Sequence, residues 1–238
     1  MNDVWKNFWE QYAGSEAANE DELYLKVGKI ANSAPVSRDV VQKLADDIAE
    51  KLKLTDTDDL LEMCCGNGLI TRPLSEKVKK IYAFDFTESL IASALQHRAN
   101  TNIEYVTGNA KEDFTRIFTE PLPAVKKFLI HDSTAYFLPE DIERMVEKIK
   151  TVSEDFMFYL THIPNNANKW LFYNTPERKK KYEASLQSGD IFLGGIGRWW
   201  EKSEFRAIAE KYHLHIEIFD SSNEYAYRMS ILLCSRPS

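Results

Sequence analysis

The stretch Leu60-Leu61-Glu62-Met63-Cys64-Cys65-Gly66-Asn67-Gly68-Leu69 reads as a strand ending in an acid, a tight turn of small residues, and a helix start. Gly66 and Gly68 let the backbone turn sharply and approach a ligand closely. The helix start offers N–H groups that lack intrahelical partners. Asp85 closes the next apolar run, 17 residues after Gly68. An acid there is placed to hydrogen-bond the hydroxyls of a ribose, so the ligand implied carries a nucleoside. A dinucleotide fingerprint wants Gly-x-Gly-x-x-Gly and a pyrophosphate on the helix N-terminus. Here position 71 is Thr, and Glu62 would repel a pyrophosphate. The acid suits a ligand bearing positive charge.

Two histidines and an acid follow later apolar runs. His131-Asp132-Ser133 comes after Phe128-Leu129-Ile130, and His162 after Phe156-Met157-Phe158-Tyr159-Leu160. Histidine titrates near neutral pH and is suited to take a proton from a hydroxyl or amine. Packed or capping histidines are the bland alternative for both. The remaining histidines are scattered, and Cys64, Cys65 and Cys234 form no Cys-x-x-Cys, so no structural metal is expected.

The elements that position these residues alternate. Ser37 can cap a helix running to about Leu54, with Val41, Leu44, Ala45, Ile48 and Leu52 on one side. After the Leu60-Leu61 strand a helix is expected from about Leu69 to Val78, then the strand Ile81 to Phe84. Thr87 can cap a helix to His97, with Leu90, Ile91, Ala94 and Leu95 inward. Ile103 to Val106 is a third strand and Phe128 to Ile130 a fourth. Pro139 suits the first turn of a helix carrying Ile142, Met145, Val146, Ile149 and Val152. Phe156 to Leu160 is a fifth strand. Such alternation argues for βαβ units in a mostly parallel, doubly wound sheet, whose ligands sit beyond the carboxyl ends of the strands. Ser203 can cap a further helix. Leu214, Ile216 and Ile218 alternate with polar residues as in a strand, and the next run, about Tyr227 to Ser235, follows too soon for a helical crossover. These last two strands should pair antiparallel.

Two segments stand outside this rhythm. Trp5, Phe8, Trp9 and Tyr12 share one face of an N-terminal helix, and residues 13–23 read as a flexible connector. Residues 164–201 carry Trp170, Phe172, Tyr173, Trp199 and Trp200, the basic run Arg178-Lys179-Lys180-Lys181, and a glycine-rich piece from Gly189 to Gly197. A long interruption of this kind is commonly functional. The expected organisation is a lid-like N-terminal segment, 1–36, and a ligand-binding domain, 37–238, with a substrate-covering insertion at 164–201.

Composition sets limits. The 238 residues include 30 Lys and Arg against 37 Asp and Glu, a net charge of −7. That speaks against DNA as a partner, leaving the basic run as a solvated helix face or a local anion contact. No apolar run reaches the roughly 18 residues of a membrane span, and the start Met1-Asn2-Asp3-Val4-Trp5-Lys6 lacks a signal peptide. A cytoplasmic location is expected.

At this point the sequence resembles a known family. Leu60 to Leu69 is similar to the first motif of the class I S-adenosylmethionine-dependent methyltransferases, whose cofactor carries an ammonium and a sulfonium and no phosphate. Ile81 to Phe86 resembles the second motif, Gly108-Asn109-Ala110 the third and His131-Asp132-Ser133 the fourth. The resemblance covers about 37–235 and implies a Rossmann-like sheet of order 3-2-1-4-5-7-6 with a terminal antiparallel hairpin. It implies a cofactor set of Glu62, Cys64, Gly66, Asn67, Gly68, Asp85, Phe86, Asn109, Ala110 and Asp132. Asp85 would hold the ribose, Phe86 lie beside the adenine, and Asn109 and Ala110 meet the adenine edge.

The chain departs from the family at Cys64, where Gly is usual, and at Asn109, where Asp is common. His131-Asp132-Ser133-Thr134 is not the Asn/Asp-Pro-Pro-Tyr/Phe of amino-methylating DNA enzymes. The expectation is methyl transfer to oxygen or nitrogen of a small or medium-sized molecule, yielding S-adenosylhomocysteine, with His162 and His131 as catalytic candidates. Asp132 with Asn165-Asn166 loosely echoes the magnesium site of catechol-type relatives, but Asn is a poor ligand for a hard cation. The rivals are a nucleoside-binding fold relative without catalysis and a NAD-dependent oxidoreductase.

Overall fold

A computed structural model describes residues 2–13, 19–28, 30–31, 34–119, 122, 125–189, 195–221 and 225–235. The helices are α1 (Asn2–Ala13), α2 (Glu20–Leu25), α3 (Arg38–Leu52), α4 (Thr71–Leu74), α5 (Glu88–His97), α6 (Pro139–Val152), α7 (Lys169–Phe172), α8 (Pro176–Ser188) and α9 (Lys202–Tyr212). The strands are β1 (Ile30–Ala31), β2 (Ala34–Pro35), β3 (Asp59–Met63), β4 (Lys80–Asp85), β5 (Ile103–Thr107), β6 (Lys127–His131), β7 (Met157–Pro164), β8 (His215–Asp220) and β9 (Arg228–Cys234).

β1 and β2 form a small antiparallel pair. The other strands form a seven-stranded sheet of order β5-β4-β3-β6-β7-β9-β8. Counting only its own strands, this is 3-2-1-4-5-7-6, the expected order. β3, β4 and β5 run parallel in one continuous register, with Glu62 opposite Ala83 and Asp85 opposite Thr107. β9 is antiparallel to both β7 and β8, so the terminal hairpin is as its short connection requires. No helix among the described residues is long and apolar enough to cross a membrane.

The contacts divide the chain into two compact units, 1–129 with 151–153, and 130–150 with 154–238. In the first, the strands are near-continuous apolar runs because a parallel sheet is covered on both faces. Leu60, Leu61, Met63, Ile81, Ala83 and Phe84 are fully buried. Ser37 Oγ caps α3 by accepting from the Val40 N–H, and Val41, Ala45, Ile48 and Leu52 face inward. In the second unit, Ile142, Met145, Val146 and Ile149 form the buried face of α6, with Phe158, Leu160, Phe205, Ile231 and Leu233 in the core.

Several expectations are corrected. The helix expected over 69–78 is only α4, because Pro73 sits inside it, and after Leu74 the backbone bonds tighten to i→i−3 turns at Glu76 and Lys77. Leu95 is 54% exposed rather than inward. Thr87 occupies the N-cap of α5 without capping it through its side chain. Glu10 of α1 does that work, accepting from the Glu88 N–H and the Ser89 hydroxyl, each at 2.8 Å. Glu201 and Glu204, not Ser203, cap α9 through a reciprocal capping box. Residues 20–23 of the supposed connector belong to helix α2, with Leu23 and Tyr24 buried; residues 14–18 lie outside the described residues.

The 164–201 segment combines fixed and exposed parts; positions 190–194 of its glycine-rich piece lie outside the described residues. Trp200 is fully buried, stacks on Phe205 at 4.7 Å and donates its Nε1–H to the Thr134 carbonyl at 3.1 Å. Tyr173 is buried, stacked on Tyr182, and accepts from Trp199 Nε1 at 3.0 Å. Trp170 and Leu171 are exposed, as is nearly all of α8 with its basic run. Gly197 anchors the approach to Trp200. It has φ +86°, and a Cβ there would lie 2.8 Å from the Ala135 carbonyl oxygen, which already accepts from the Arg198 N–H. Gly197→Ala is expected to cost about 2–4 kcal/mol, from the left-handed conformation and the backbone clash together. Thermal denaturation should show a fall of roughly 2–4 °C per kcal/mol; an unchanged melting temperature would mean the segment is not anchored there.

Candidate active site

The site residues expected from sequence fall into two sets, one in each unit. In the first unit, β3 delivers Glu62 and then breaks into a loop whose backbone turns left-handed three times, at Cys64 (φ 60°), Gly66 (φ 57°) and Gly68 (φ 75°). Cys64 therefore holds the conformation that the more usual glycine would adopt freely. The loop is tied to β4 by the Cys65 N–H on the Phe84 carbonyl at 3.1 Å. It is tied again by the Gly66 N–H on Asp85 Oδ2 at 3.0 Å. Asp85 Oδ1 accepts from the Thr87 N–H at 2.9 Å. Gly68 has no room for a side chain, since a Cβ would meet the Tyr105 hydroxyl at 2.3 Å.

Asn67 plays a part that its place in the motif did not suggest. Its Nδ2 donates to the Leu23 carbonyl at 2.7 Å, fully buried, and so fastens α2 to the loop. The signal for α2 was present in Leu23, Tyr24 and Val27, hidden among acidic and small neighbours. Asn109 uses its side chain locally: Oδ1 accepts from the Lys111 N–H at 3.0 Å and Nδ2 donates to Glu112. Ala110 is buried, Phe86 half-buried, and the Gly108 N–H binds the Asp85 carbonyl at 2.9 Å.

The electrostatics of this first set are set by burial. Glu62 is 2% exposed, and its Oε2 has no hydrogen-bond partner among the described residues. Burial, with the charge of Asp85 adding to it, pushes the Glu62 carboxyl up to about 8. Burial also raises Asp85, against the opposing N–H groups of Thr87 and Gly66. The Cys64 and Cys65 thiols are pushed up by burial and by the two carboxylates, so neither is a ready nucleophile. Two acids held out of water with an unused oxygen form a receptor for a cationic, hydroxyl-bearing ligand and a poor one for phosphate.

In the second unit, β6 ends in His131 and the chain turns through Asp132, a non-glycine residue at φ 58°. β7 carries a bulge between Leu160 and Ile163, and His162 within it sits at φ 59°. Bulges re-aim side chains, and left-handed non-glycine residues gather at functional sites. His131 Nδ1 lies 2.6 Å from Thr161 Oγ1, and the Asp132 N–H binds the Thr161 carbonyl at 3.1 Å. The two imidazoles are 4.9 Å apart between centroids. Arg228 donates to the Asp132 carboxylate and to the His162 carbonyl. Sequence reasoning did not find Arg228 or Thr161, because neither belongs to a motif. Only the fold brings strand β9 and the bulge to them.

The sheet order, the antiparallel hairpin and the glycine turn after β3 define the class I methyltransferase fold. Residues 60–155, about two-fifths of the chain, match the family described as a methyltransferase domain. In fold, and over residues 60–155 in sequence, the chain is similar to S-adenosylmethionine-dependent methyltransferases. Among known proteins, the tRNA/tmRNA (uracil-C(5))-methyltransferase of Pseudomonas fluorescens is 35% identical over 69 residues, 28% of this chain and 19% of that protein. The chain thus spans about a fifth of the length of that relative. A SAM-dependent methyltransferase from Anabaena variabilis is similar with TM-score 0.61 and 17% identity, covering 96% of this chain and 93% of its own. The magnesium protoporphyrin IX methyltransferase of Synechocystis, solved with SAH, has TM-score 0.58 and 13% identity over 98% and 93%.

Proposed function

We propose that the protein is a cytoplasmic enzyme that transfers the methyl group of S-adenosylmethionine to an oxygen or nitrogen of a small or medium-sized molecule. The observation that carries this reading is the buried Glu62 carboxylate with its unpartnered oxygen, held beside Asp85 by the glycine turn. Glu62 would bind the ammonium of the amino-acid end. Asp85 would hold the ribose hydroxyls, and Phe86 and Ala110 would border the adenine. When bound, S-adenosylmethionine supplies a methyl group on a sulfonium that leaves readily. The chain's work is to orient the acceptor, exclude water and see to the acceptor's proton. His162 and His131 are assigned that last task, since His131 ends β6 and His162 sits in the bulge near the carboxyl end of β7, where ligands of open α/β sheets bind. The exposed part of 164–201 is proposed to cover the acceptor.

The test is calorimetry with S-adenosylhomocysteine. Asp85→Ala removes charge-assisted hydrogen bonds worth roughly 1.5–3 kcal/mol, so affinity should fall about 10–150-fold. Unchanged affinity would overturn the ribose assignment, and NAD binding as tight as S-adenosylhomocysteine would overturn the whole reading. A second reading, an RNA acceptor, is favoured by the exposed basic run on α8 and by the Pseudomonas relative. Release of S-adenosylhomocysteine with tRNA but not with hydroxylated small molecules would select it.

A further inference from the structure

We infer that His131, Asp132 and His162 form a binding site for one divalent first-row transition cation such as Zn2+ or Fe2+. This deepens the proposed function, resting on it only for what the cation does to the acceptor; cation binding stands without it. One nitrogen of each imidazole and one oxygen of Asp132 lie within 4.8 Å of one another. Zinc–nitrogen bonds of about 2.0–2.1 Å place tetrahedral ligands roughly 3.3 Å apart, so side-chain rotations of about an ångström close the set. Two imidazoles and a carboxylate suit borderline divalent ions rather than magnesium.

Three further features point the same way. His131 Nδ1 is engaged by Thr161 Oγ1 at 2.6 Å. If Nδ1 carries the proton, that bond leaves Nε2 as the lone-pair nitrogen, the usual outer support of a metal-binding histidine. Asp132 is oriented by Arg228, which also grips the backbone carbonyl of His162. One side chain thus fixes two of the three ligands. Finally, Asp132 and His162 both hold the left-handed conformation, which in non-glycine residues gathers at functional sites.

The charge count names the acceptor. A bound divalent ion adds two positive charges beside the Asp132–Arg228 ion pair. An oxygen acceptor that ionises on the ion supplies one negative charge: its O–H bond breaks, the proton passes to solvent, and the oxyanion is the nucleophile. Phenols, enols and hydroxy acids present such an oxygen; a neutral amine does not. The same geometry assigns Asp132 to the cation rather than to the cofactor.

Cobalt(II) is the probe. Titration of the full chain should give ligand-field bands saturating at one equivalent. His131→Ala, His162→Asn and Asp132→Asn should each abolish them, with S-adenosylhomocysteine binding retained as the control for folding; Asn tolerates the left-handed backbone at 132 and 162. Thr161→Val, which touches no ion, should weaken cobalt about 10–100-fold. No binding, or binding indifferent to these substitutions, overturns the inference. So does a sulfur-to-cobalt charge-transfer band, which would put the ion on cysteine. If cobalt does not bind yet turnover depends on His162, the cation fails and the methyltransferase reading stands. If cobalt binds as described and S-adenosylhomocysteine does not, the reverse holds.

Discussion

His162→Asn is expected to lower methyl transfer about 10²–10⁴-fold while leaving S-adenosylhomocysteine affinity unchanged. Asparagine accepts the left-handed backbone that His162 holds at φ 59°. It therefore keeps the β7 bulge and the carbonyl that Arg228 grips, and removes the imidazole alone. Loss of a direct proton acceptor or of a cation ligand predicts the same fall, because in either role the acceptor is no longer ionised. The residues proposed to hold the cofactor, Glu62, Asp85 and the loop between them, belong to the other unit and should not register the change. The measurement is S-adenosylhomocysteine release with an acceptor found by screening hydroxylated small molecules. A turnover within the range of the wild type would return His162 to a packing role against His131 and Tyr225.

The parts of this molecule that repeat a pattern were legible in its sequence. Parallel strands announce themselves as short apolar runs, and the brief link between the last two strands excluded a helix, so the strands and the hairpin followed, while the sheet order was implied only by the family resemblance. The glycine turn after Glu62 was legible because φ > 0 selects glycine at positions 66 and 68. The same rule failed wherever a non-glycine residue holds that conformation. Cys64, Asp132 and His162 carry no signal of it, so the bulge in β7 and the turn after β6 were invisible. Caps were legible only where a residue caps its own helix. Ser37 does so, but α5 is capped by Glu10, 78 residues away, and no local pattern can report that. Arg228 was missed for the same reason: its partners lie 96 and 66 residues distant.

Glu62 should make the ligand-free protein less stable as pH rises. Its carboxyl stands at about 8 in the folded chain, raised by burial, and near 4.3 in an unfolded one. The folded state therefore holds a proton that the unfolded state has lost. The stabilisation this gives is complete below about pH 4, declines through neutrality and is gone above about pH 8. Its size is on the order of 5 kcal/mol over that span, and Asp85, raised in the same direction, adds to it. Glu62→Gln removes the Glu62 part, so its denaturation midpoint should be flatter against pH than that of the wild type. A cationic ligand inverts the effect. An ammonium beside Glu62 favours the ionised carboxylate, so binding S-adenosylhomocysteine at pH 7 should expel about one proton, and affinity should rise with pH until about 8. Calorimetry in buffers of differing ionisation enthalpy counts that proton directly. Glu62→Gln should expel none and bind about 10–150-fold more weakly, the worth of one charge-assisted hydrogen bond. Binding without proton release in the wild type would mean that the ammonium lies elsewhere and that Glu62 is buried for packing alone.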